Sequence, residues 1–286
     1  MKLLTLNTHA WHEDEQEKKI RQLADFINAR GFDLIALQEV NQSPGAAPAD
    51  ASRLTRYYEA EPGTSIREDH YALLLLELLD VPYYWAWLPT HSAYQGRYDE
   101  GVAVLSRAPI TDVRYDYVSG IRDYMNSKTR RLLGVQTSWR GAETQDAAAP
   151  ADKSFWVFSA HCGWWHDQVE PFQAQWDRAE ALMKPLRDAG EKIFLLGDLN
   201  NVAQIRGEGY DYVLEHGWCD LYTAAVEKDE GSTVLKAIAG WSDNESPLRI
   251  DYILCSSQIP AKKSQVVLDG NHGPVVSDHF GVAAEV

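Results

Sequence analysis

Several short segments of the chain place carboxylates, amides and imidazoles where they could handle a proton or hold a cation. Gly197-Asp198-Leu199-Asn200-Asn201 follows the apolar run KIFLLG at 192–197. A run that apolar has no need of a charged end, so Asp198 and Asn200 are expected to project from a tight turn. There they serve as an Asx-turn or helix cap, or they touch a ligand. Ser277-Asp278-His279 sets a carboxylate beside an imidazole near the C-terminal end, as a surface loop or as a functional pair. In Arg249-Ile250-Asp251-Tyr252-Ile253 the acid stands inside a strand pattern, with Ile250, Tyr252 and Leu254 on one face and Asp251, Ile253 and Cys255 on the other. A carboxylate that shares a face with Ile253 needs a partner. The partner is either an arginine in a structural pair or a histidine whose tautomer and charge it fixes; His279 is preferred, with Arg249 or another basic residue the alternative.

Asn7 and Glu39 each end a short apolar run. A hard divalent cation such as Mg2+ takes one or two carboxylates, an amide oxygen, water and substrate phosphate, so the two could share an ion, although Asn7 could equally cap. His161 closes SFWVFSAH and is either structurally satisfied or chemical. Ten tryptophans are unusual; Trp164 and Trp165 follow His161 closely, Trp11 follows Asn7 and Trp241 precedes Asp251. Such rings either fill the core or stack on a sugar, a base or a lipid head group beside a phosphate. Arg130 and Arg131 precede a strand pattern and Arg206 follows the GDLNN turn, as phosphate clamps or as surface residues.

The elements that must position these groups read as follows. Residues 3–7 form a strand, 13–30 a helix with Ile20, Leu23, Ala24 and Ile27 at helical spacing and Gly31 as its stop, and 32–38 a buried strand ending at Glu39. Residues 71–79 read as a helix, 102–106 and 131–139 as strands, and 154–161 as the second arm of a hairpin whose loop is the Ala/Pro-rich 141–152. A helix at 168–189 ends at Gly190, and strands at 192–197, 249–255 and 280–286 complete the set. Helices alternating with strands, together with a hairpin, argue for an α/β class of mixed sheets covered by helices. The candidate residues stand at the edges of these strands, where open α/β sheets place their ligand crevices.

Composition narrows the partners. The chain has 286 residues, 45% of them hydrophobic, and 42 acidic against 27 basic residues leave a formal charge of −15. Proteins that bind long nucleic acids draw affinity from Lys and Arg neutralising phosphates, so this balance argues against that partner. A small anionic phosphorylated substrate remains compatible, because a metal ion can supply positive charge at one point. Cys162, Cys219 and Cys255 lack the spacings of a zinc site or a disulfide framework. The longest apolar stretch, 71–88, is interrupted by Glu77 and Asp80, short of the ~20 residues that span a bilayer. No signal segment is visible at the start, and a cytoplasmic protein with no membrane partner is expected. The pattern carries no reading of oligomeric state.

Taken in order, TLN with Asn7, QEV with Glu39, SAH with His161, GDLN with Asp198 and Asn200, RIDYI with Asp251, and SDH with Asp278 and His279 resemble the endonuclease/exonuclease/phosphatase superfamily over nearly the whole chain. The resemblance implies one domain, 1–286, built as a four-layer sandwich of two packed mixed β-sheets flanked by helices, as in the deoxyribonuclease I fold. It also implies divalent-metal-dependent phosphoester hydrolysis with Mg2+, or alternatively Mn2+. Carried over position by position, it makes Asn7 and Glu39 the metal pair with Asp278 near the metal. Asp198 and Asn200 handle the attacking water, Asp251 pairs with His279, and His161 meets a phosphoryl oxygen. Some nuclease branches carry an acid two residues after the first Asn where this chain has His9, which puts a second metal in doubt. Many nucleases carry Tyr where this chain has His161, as the neutral sphingomyelinase-like branch does. NTHAW, YDEG at 98–101, SAHCGWW and IRGEGYDYVL look most like bacterial cytosolic hydrolases typified by maltose 6′-phosphate phosphatase. That likeness implies phosphate removal from a phosphorylated sugar, with Arg130, Arg206, Trp164 and Trp165 as substrate contacts. The alternatives are a sphingomyelinase-like or nuclease phosphodiesterase and, last, a binding module; superfamily members that persist as scaffolds lose catalytic residues, whereas this chain keeps the set.

Overall fold

The computed structural model describes residues 1–139, 154–235 and 244–286. The expected loop at 141–152 and Trp241 lie outside the described residues. Strand β1 (Lys2–Asn7) leads through helix α1 (Gln16–Arg30) into β2 (Leu34–Gln42), which pairs with β1 in parallel. Helix α1 starts three residues later than the periodicity suggests, because Glu15 takes a left-handed φ of 54°. It stops at Gly31, φ 64°, whose N–H bonds to the Ile27 carbonyl, the usual way a helix is terminated. Helix α2 (Tyr71–Leu76), β3 (Tyr84–Ala93), β4 (Tyr98–Ser106), β5 (Asp112–Tyr117), β6 (Arg131–Ser138) and β7 (Ser154–His161) follow. Then come α3 (Phe172–Asp188), β8 (Ile193–Asp198), α4 (Gly209–Glu215), β9 (Cys219–Asp220), α5 (Leu221–Ala224), β10 (Ala225–Lys228), β11 (Asp251–Cys255), β12 (Ala261–Val267) and β13 (Gly281–Glu285).

One sheet has seven strands in the order β10-β12-β13-β1-β2-β4-β3, the other six in the order β5-β6-β7-β8-β11-β9. Strand alternation sorts the apolar side chains into three cores. Leu3, Leu34, Ala36, Val102 and Val104 of the first sheet meet Val135, Val157, Phe194, Leu196 and Ile253 of the second. The intervening residues of the first sheet, such as Leu4, Leu6, Ile35 and Leu37, pack on Ile20, Leu23 and Ile27 of α1 and on α2. Those of the second, such as Phe158, Leu195, Tyr252 and Leu254, pack on Phe172, Trp176 and Met183 of α3 and Val213 of α4. The result is the α/β (α+β) class: four layers, helices outside and two mixed sheets within. Among the described residues no helix is long and apolar enough to cross a membrane.

Strands β3, β5, β9, β10 and β12 are absent from the sequence expectation. Most of β3 is apolar and continues the stretch that begins in α2, so period alone cannot divide helix from strand there; the helix ends at Leu76 and the strand begins at Tyr84. Strand β2 does not end at Glu39. It runs on to Gln42 through a bulge, where the pairing with β4 jumps from Leu37↔Ala103 to Val40↔Gly101.

Candidate active site

The C-terminal ends of β1, β7 and β8 meet at one rim of the inter-sheet core. In β1 Asn7 continues the inward face of Leu3 and Thr5, in β7 His161 continues that of Val157 and Ser159, and in β8 Asp198 continues that of Phe194 and Leu196. The ladders place His161 opposite Asp198 across β7 and β8, and Asp251 opposite Asp198 across β8 and β11, so three polar residues stand level on three adjacent strands. Glu39 reaches the same rim by leaving the alternation: the bulge sets Gln38 and Glu39 against Val102, and Glu39 takes φ 50°. A bulge that re-aims one side chain is a common device beside functional sites. Gly197 lets β8 approach β7, since a Cβ there would lie 2.0 Å from the Ala160 carbonyl oxygen at a φ of 152°.

Asp278 and His279 arrive because β13 lies beside β1 in the sheet, which delivers the preceding loop to the end of β1. Ser277 fastens that loop, its hydroxyl donating to the Asn7 carbonyl at 2.7 Å. His279 then inserts between two acids, with Nδ1 3.0 Å from Asp251 Oδ2 and Nε2 3.8 Å from Asp198 Oδ2. Arg249 is not the partner of Asp251; it pairs with Asp220 at 2.6 Å under the rings of Tyr210, Tyr222 and Tyr252. The Asn7 amide donates to Glu39 Oε1 at 2.9 Å and to Asp198 Oδ2 at 3.2 Å. Asn200, at φ 51°, donates its backbone N–H to Asp198 Oδ1 at 2.8 Å and its side-chain amide to the Cys162 carbonyl at 3.0 Å. The turn-forming bond of an Asx-turn and the convergence on the rim are therefore the same contact. His161 Nε2 faces Asp198 at 3.7 Å and Glu39 at 3.9 Å.

Burial and charge set the protonation of the group. Burial lowers the His279 pKa, but the Asp251 and Asp198 carboxylates on either side outweigh it and raise it to about 10, so the ring is cationic near neutrality. Burial, then the Asp251 charge, pushes Asp198 up to about 7, against the pull of His279 and the Asn200 N–H. Burial, then the charge of Arg130, holds His161 well below 6.5 and neutral. The two imidazoles are thus displaced in opposite directions within one cleft, beside a carboxyl raised toward neutrality, an arrangement suited to acid-base chemistry.

The rim opens into a cavity of about 310 Å³ lined by His9, Glu39, His161, Asp198, Asn200, Asp278 and His279 on the strand-end side, and beyond them by Tyr94, Lys128, Arg130 and Trp164. Two expected substrate contacts lie elsewhere. Arg206 is exposed and tied to Asp211 at 2.7 Å, and Trp165 packs on Phe172 and Tyr212, so neither lines the cavity. Arg131 bonds Glu61 at 2.6 Å, and Trp11 packs against the α1-side core. Sequence reasoning missed His91 and Glu100, which face each other at 3.5 Å in the cavity wall. The signal for Glu100 was present: in YDEGVAVLS the acid shares a face with Val102 and Val104, as Asp251 does with Ile253.

The family model of the endonuclease/exonuclease/phosphatase family matches residues 13–279. The chain belongs to that family. A solved endonuclease/exonuclease/phosphatase family protein from Leptotrichia buccalis C-1013-b is 30% identical with a TM-score of 0.82, covering 100% of this chain and 98% of that one. A mannosyl-6-phosphatase from Bacteroides thetaiotaomicron has 15% identity and a TM-score of 0.64, covering 100% and 98%. D. rerio TDP2, complexed with a single-strand DNA product, has 14% identity and a TM-score of 0.62, covering 99% and 97%; these two likenesses bear on the fold alone. No curated protein matches the chain with significance. Members of the endonuclease/exonuclease/phosphatase family are hydrolases acting on phosphoester bonds, and they generally use divalent metals.

The donor set suits such an ion. Glu39 and Asp278 offer carboxylate oxygens, the ligands of a hard cation, and Asn7 an amide oxygen that here accepts from the His9 N–H at 3.2 Å while its nitrogen faces Glu39. Burial, then repulsion from Glu39, lifts the Glu100 pKa to about 8, against the pull of the Arg130 charge, so Glu100 is protonated near neutrality and Glu39 and Asp278 are the carboxylates left to a cation. Among the described residues, two further groups bring three ligand atoms within 4.8 Å of one another: Asp198, Asp251 and His279, and His9, Glu13 and Asp278. In the second, Glu13 is already held by Lys19 at 2.5 Å.

Proposed function

We propose that this protein is a divalent-metal-dependent phosphomonoesterase acting on a small phosphorylated sugar, of the kind exemplified by maltose 6′-phosphate. The carrying observation is the cavity itself. Glu39, His161, Asp198 and His279 converge on an open cleft of about 310 Å³ walled by Tyr94 and Trp164. That is small-ligand size, and the aromatic walls suit the apolar face of a sugar. An excess of 15 negative charges supports a compact substrate over a long polyanion. The reading also places the enzyme in the cytoplasm, where phosphorylated sugars are retained.

Asn7, Glu39 and Asp278 would hold Mg2+ or Mn2+, which polarises a phosphoryl oxygen and neutralises charge when bound. Asp198 Oδ2 orients the attacking water and accepts its proton; it suits that task because its pKa of about 7 lies near the working pH. The backbone N–H of Asn200 and the amide of Asn7 keep that carboxylate aimed. His279, cationic and held by Asp251, stabilises the charge that grows on the phosphoryl oxygens, and neutral His161 donates a hydrogen bond to one of them.

The test is phosphate release in Mg2+ or Mn2+ across sugar phosphates, nucleotides, short DNA and sphingomyelin. Turnover of sugar phosphates above the others is expected. Cleavage of DNA or sphingomyelin without monoester turnover would reverse the ranking.

A further inference from the structure

Arg130 stands out among the cations of the molecule. Lys128, Arg131, Arg206 and Arg249 are each held by a carboxylate, Asp167 at 2.8 Å, Glu61 at 2.6 Å, Asp211 at 2.7 Å and Asp220 at 2.6 Å. Arg130 is only 8% exposed and lines the cavity, yet among the described residues no carboxylate forms an ion pair with it; Glu100 is near enough to feel its charge but is itself lifted to about 8 by burial and Glu39. Its backbone is locked, the N–H donating to Ser119 Oγ at 2.8 Å and the carbonyl accepting from Val118 N at 2.9 Å. Its Nη1 donates to the Ser127 carbonyl at 2.8 Å, whereas Nε is buried without a partner. A guanidinium out of water with part of its fork unsatisfied is costly. The cost is all the more notable in a chain with 42 acids to 27 bases, where an acidic partner would be easy to supply. The guanidinium stands close enough to His161 and His91 for its charge, after burial, to keep both imidazoles neutral.

We infer that Arg130 makes the site select a phosphomonoester over a diester, an inference that rests on the monoesterase reading above. A monoester presents three non-bridging oxygens and close to two negative charges; a diester presents two oxygens and one charge. With Asn7, Glu39, His161 and His279 gathered on the strand-end side, the fork of Arg130 is the fixed cation left to take the third oxygen, the position that carries the second ester group in a diester. The planar fork binds oxygen pairs bidentately, as a lysine ammonium cannot.

The experiment compares the wild-type chain with Arg130→Met and Arg130→Lys in Mg2+, using p-nitrophenyl phosphate as monoester and bis(p-nitrophenyl) phosphate as diester. For Arg130→Met, monoester kcat/KM should fall at least ~10-fold, the scale of a lost charge-assisted hydrogen bond, with diester kcat/KM within about threefold of wild type. Arg130→Lys, which keeps the buried charge and is the variant expected to fold in any case, should restore part of the monoester rate. As a readout apart from turnover, inorganic phosphate should raise the unfolding temperature of the wild type but not of Arg130→Met. Equal losses on both esters, or an unchanged ester ratio in both variants, would overturn the role given to Arg130. A wild-type preference for the diester would instead overturn the monoesterase reading, and the phosphate-binding comparison would still decide whether Arg130 holds a phosphoryl group.

Discussion

Replacing Asp251 with Asn perturbs the site at the contact on which His279 depends. Asp251 is 1% exposed and its Oδ2 lies 3.0 Å from His279 Nδ1. At that distance and an effective dielectric of ~20, the attraction between the two charges is about 5 kcal/mol. At ~1.4 kcal/mol per pH unit, this amounts to a change of roughly four in the His279 pKa. Burial acts to lower that value while Asp251 and Asp198 raise it to about 10; without the Asp251 charge it should return to roughly 6. The sign follows from linkage. A folded value above the free imidazole's ~6.5 means that the His279 charge stabilises the fold fully below that pH and loses its contribution as pH rises through the folded value. In Asp251→Asn a folded value of roughly 6 is no longer above the free imidazole's, so that stabilising contribution should be absent at every pH, and at pH ~8 the ring is neutral. Turnover at pH ~8 should drop ~10²-fold or more relative to wild type, and the gap between the two proteins should narrow toward pH ~5.5. The check is the ring nitrogen chemical shifts of His279 in metal-free protein, followed with pH and set beside a pH-rate profile. A His279 that still titrates near 10 in the variant, or undiminished turnover at pH ~8, would refute the reasoning.

Further expectations follow from other contacts. Asp198→Asn preserves shape but removes the proton acceptor, so phosphate release should fall by at least ~10² with the unfolding midpoint kept or raised; near-normal turnover would remove Asp198 from the reaction. Chelation with EDTA should abolish turnover and Mg2+ or Mn2+ restore it, and activity that survives exhaustive chelation would count against a metal at Glu39 and Asn7. Gly197→Ala puts a Cβ 2.0 Å from the Ala160 carbonyl oxygen. Denaturant unfolding should show about 2–3 kcal/mol of lost stability, the cost of overpacking, and a loss below ~0.5 kcal/mol, the range of an ordinary surface substitution, would show that β7 and β8 can part freely. His70, fully buried with Nδ1 accepting from the Leu73 N–H, is held down to about 3 by burial. Its unfolded form takes up a proton below pH ~6.5, so stability should fall by about 2 kcal/mol between pH ~8 and ~5 on its account. His70→Asn should remove that portion of the slope in urea titrations; an identical slope in both proteins would mean that His70 is not the group responsible.

Much of the site was legible from residue order. Asn7, Glu39, His161, Asp198, Asn200, Asp278 and His279 line or edge one cavity, with Asp251 directly behind His279. They were readable because they stand at or beside the edges of apolar runs, where a polar side chain has no packing purpose. The clamps were less legible. Arg130 and Arg206 look alike in the sequence, yet one is buried in the cavity wall and the other pairs with Asp211 on the surface. Trp164 and Trp165 are neighbours whose successive positions point one ring at the cavity and the other into the α3 side of the core.

The linear chain, by its strand-and-helix periods and by the chemistry of its strand ends, determined the α/β layering, the family and which acids and imidazoles would meet. Tertiary structure alone decided how they meet. The bulge that turns Glu39 inward depends on its pairing with β4, the wedge of His279 between Asp198 and Asp251 depends on β13 lying beside β1, and the isolation of Arg130 depends on which carboxylates pack near it. Each is a long-range contact, and periodicity, being local, carries no term for what a neighbouring strand will place opposite a residue.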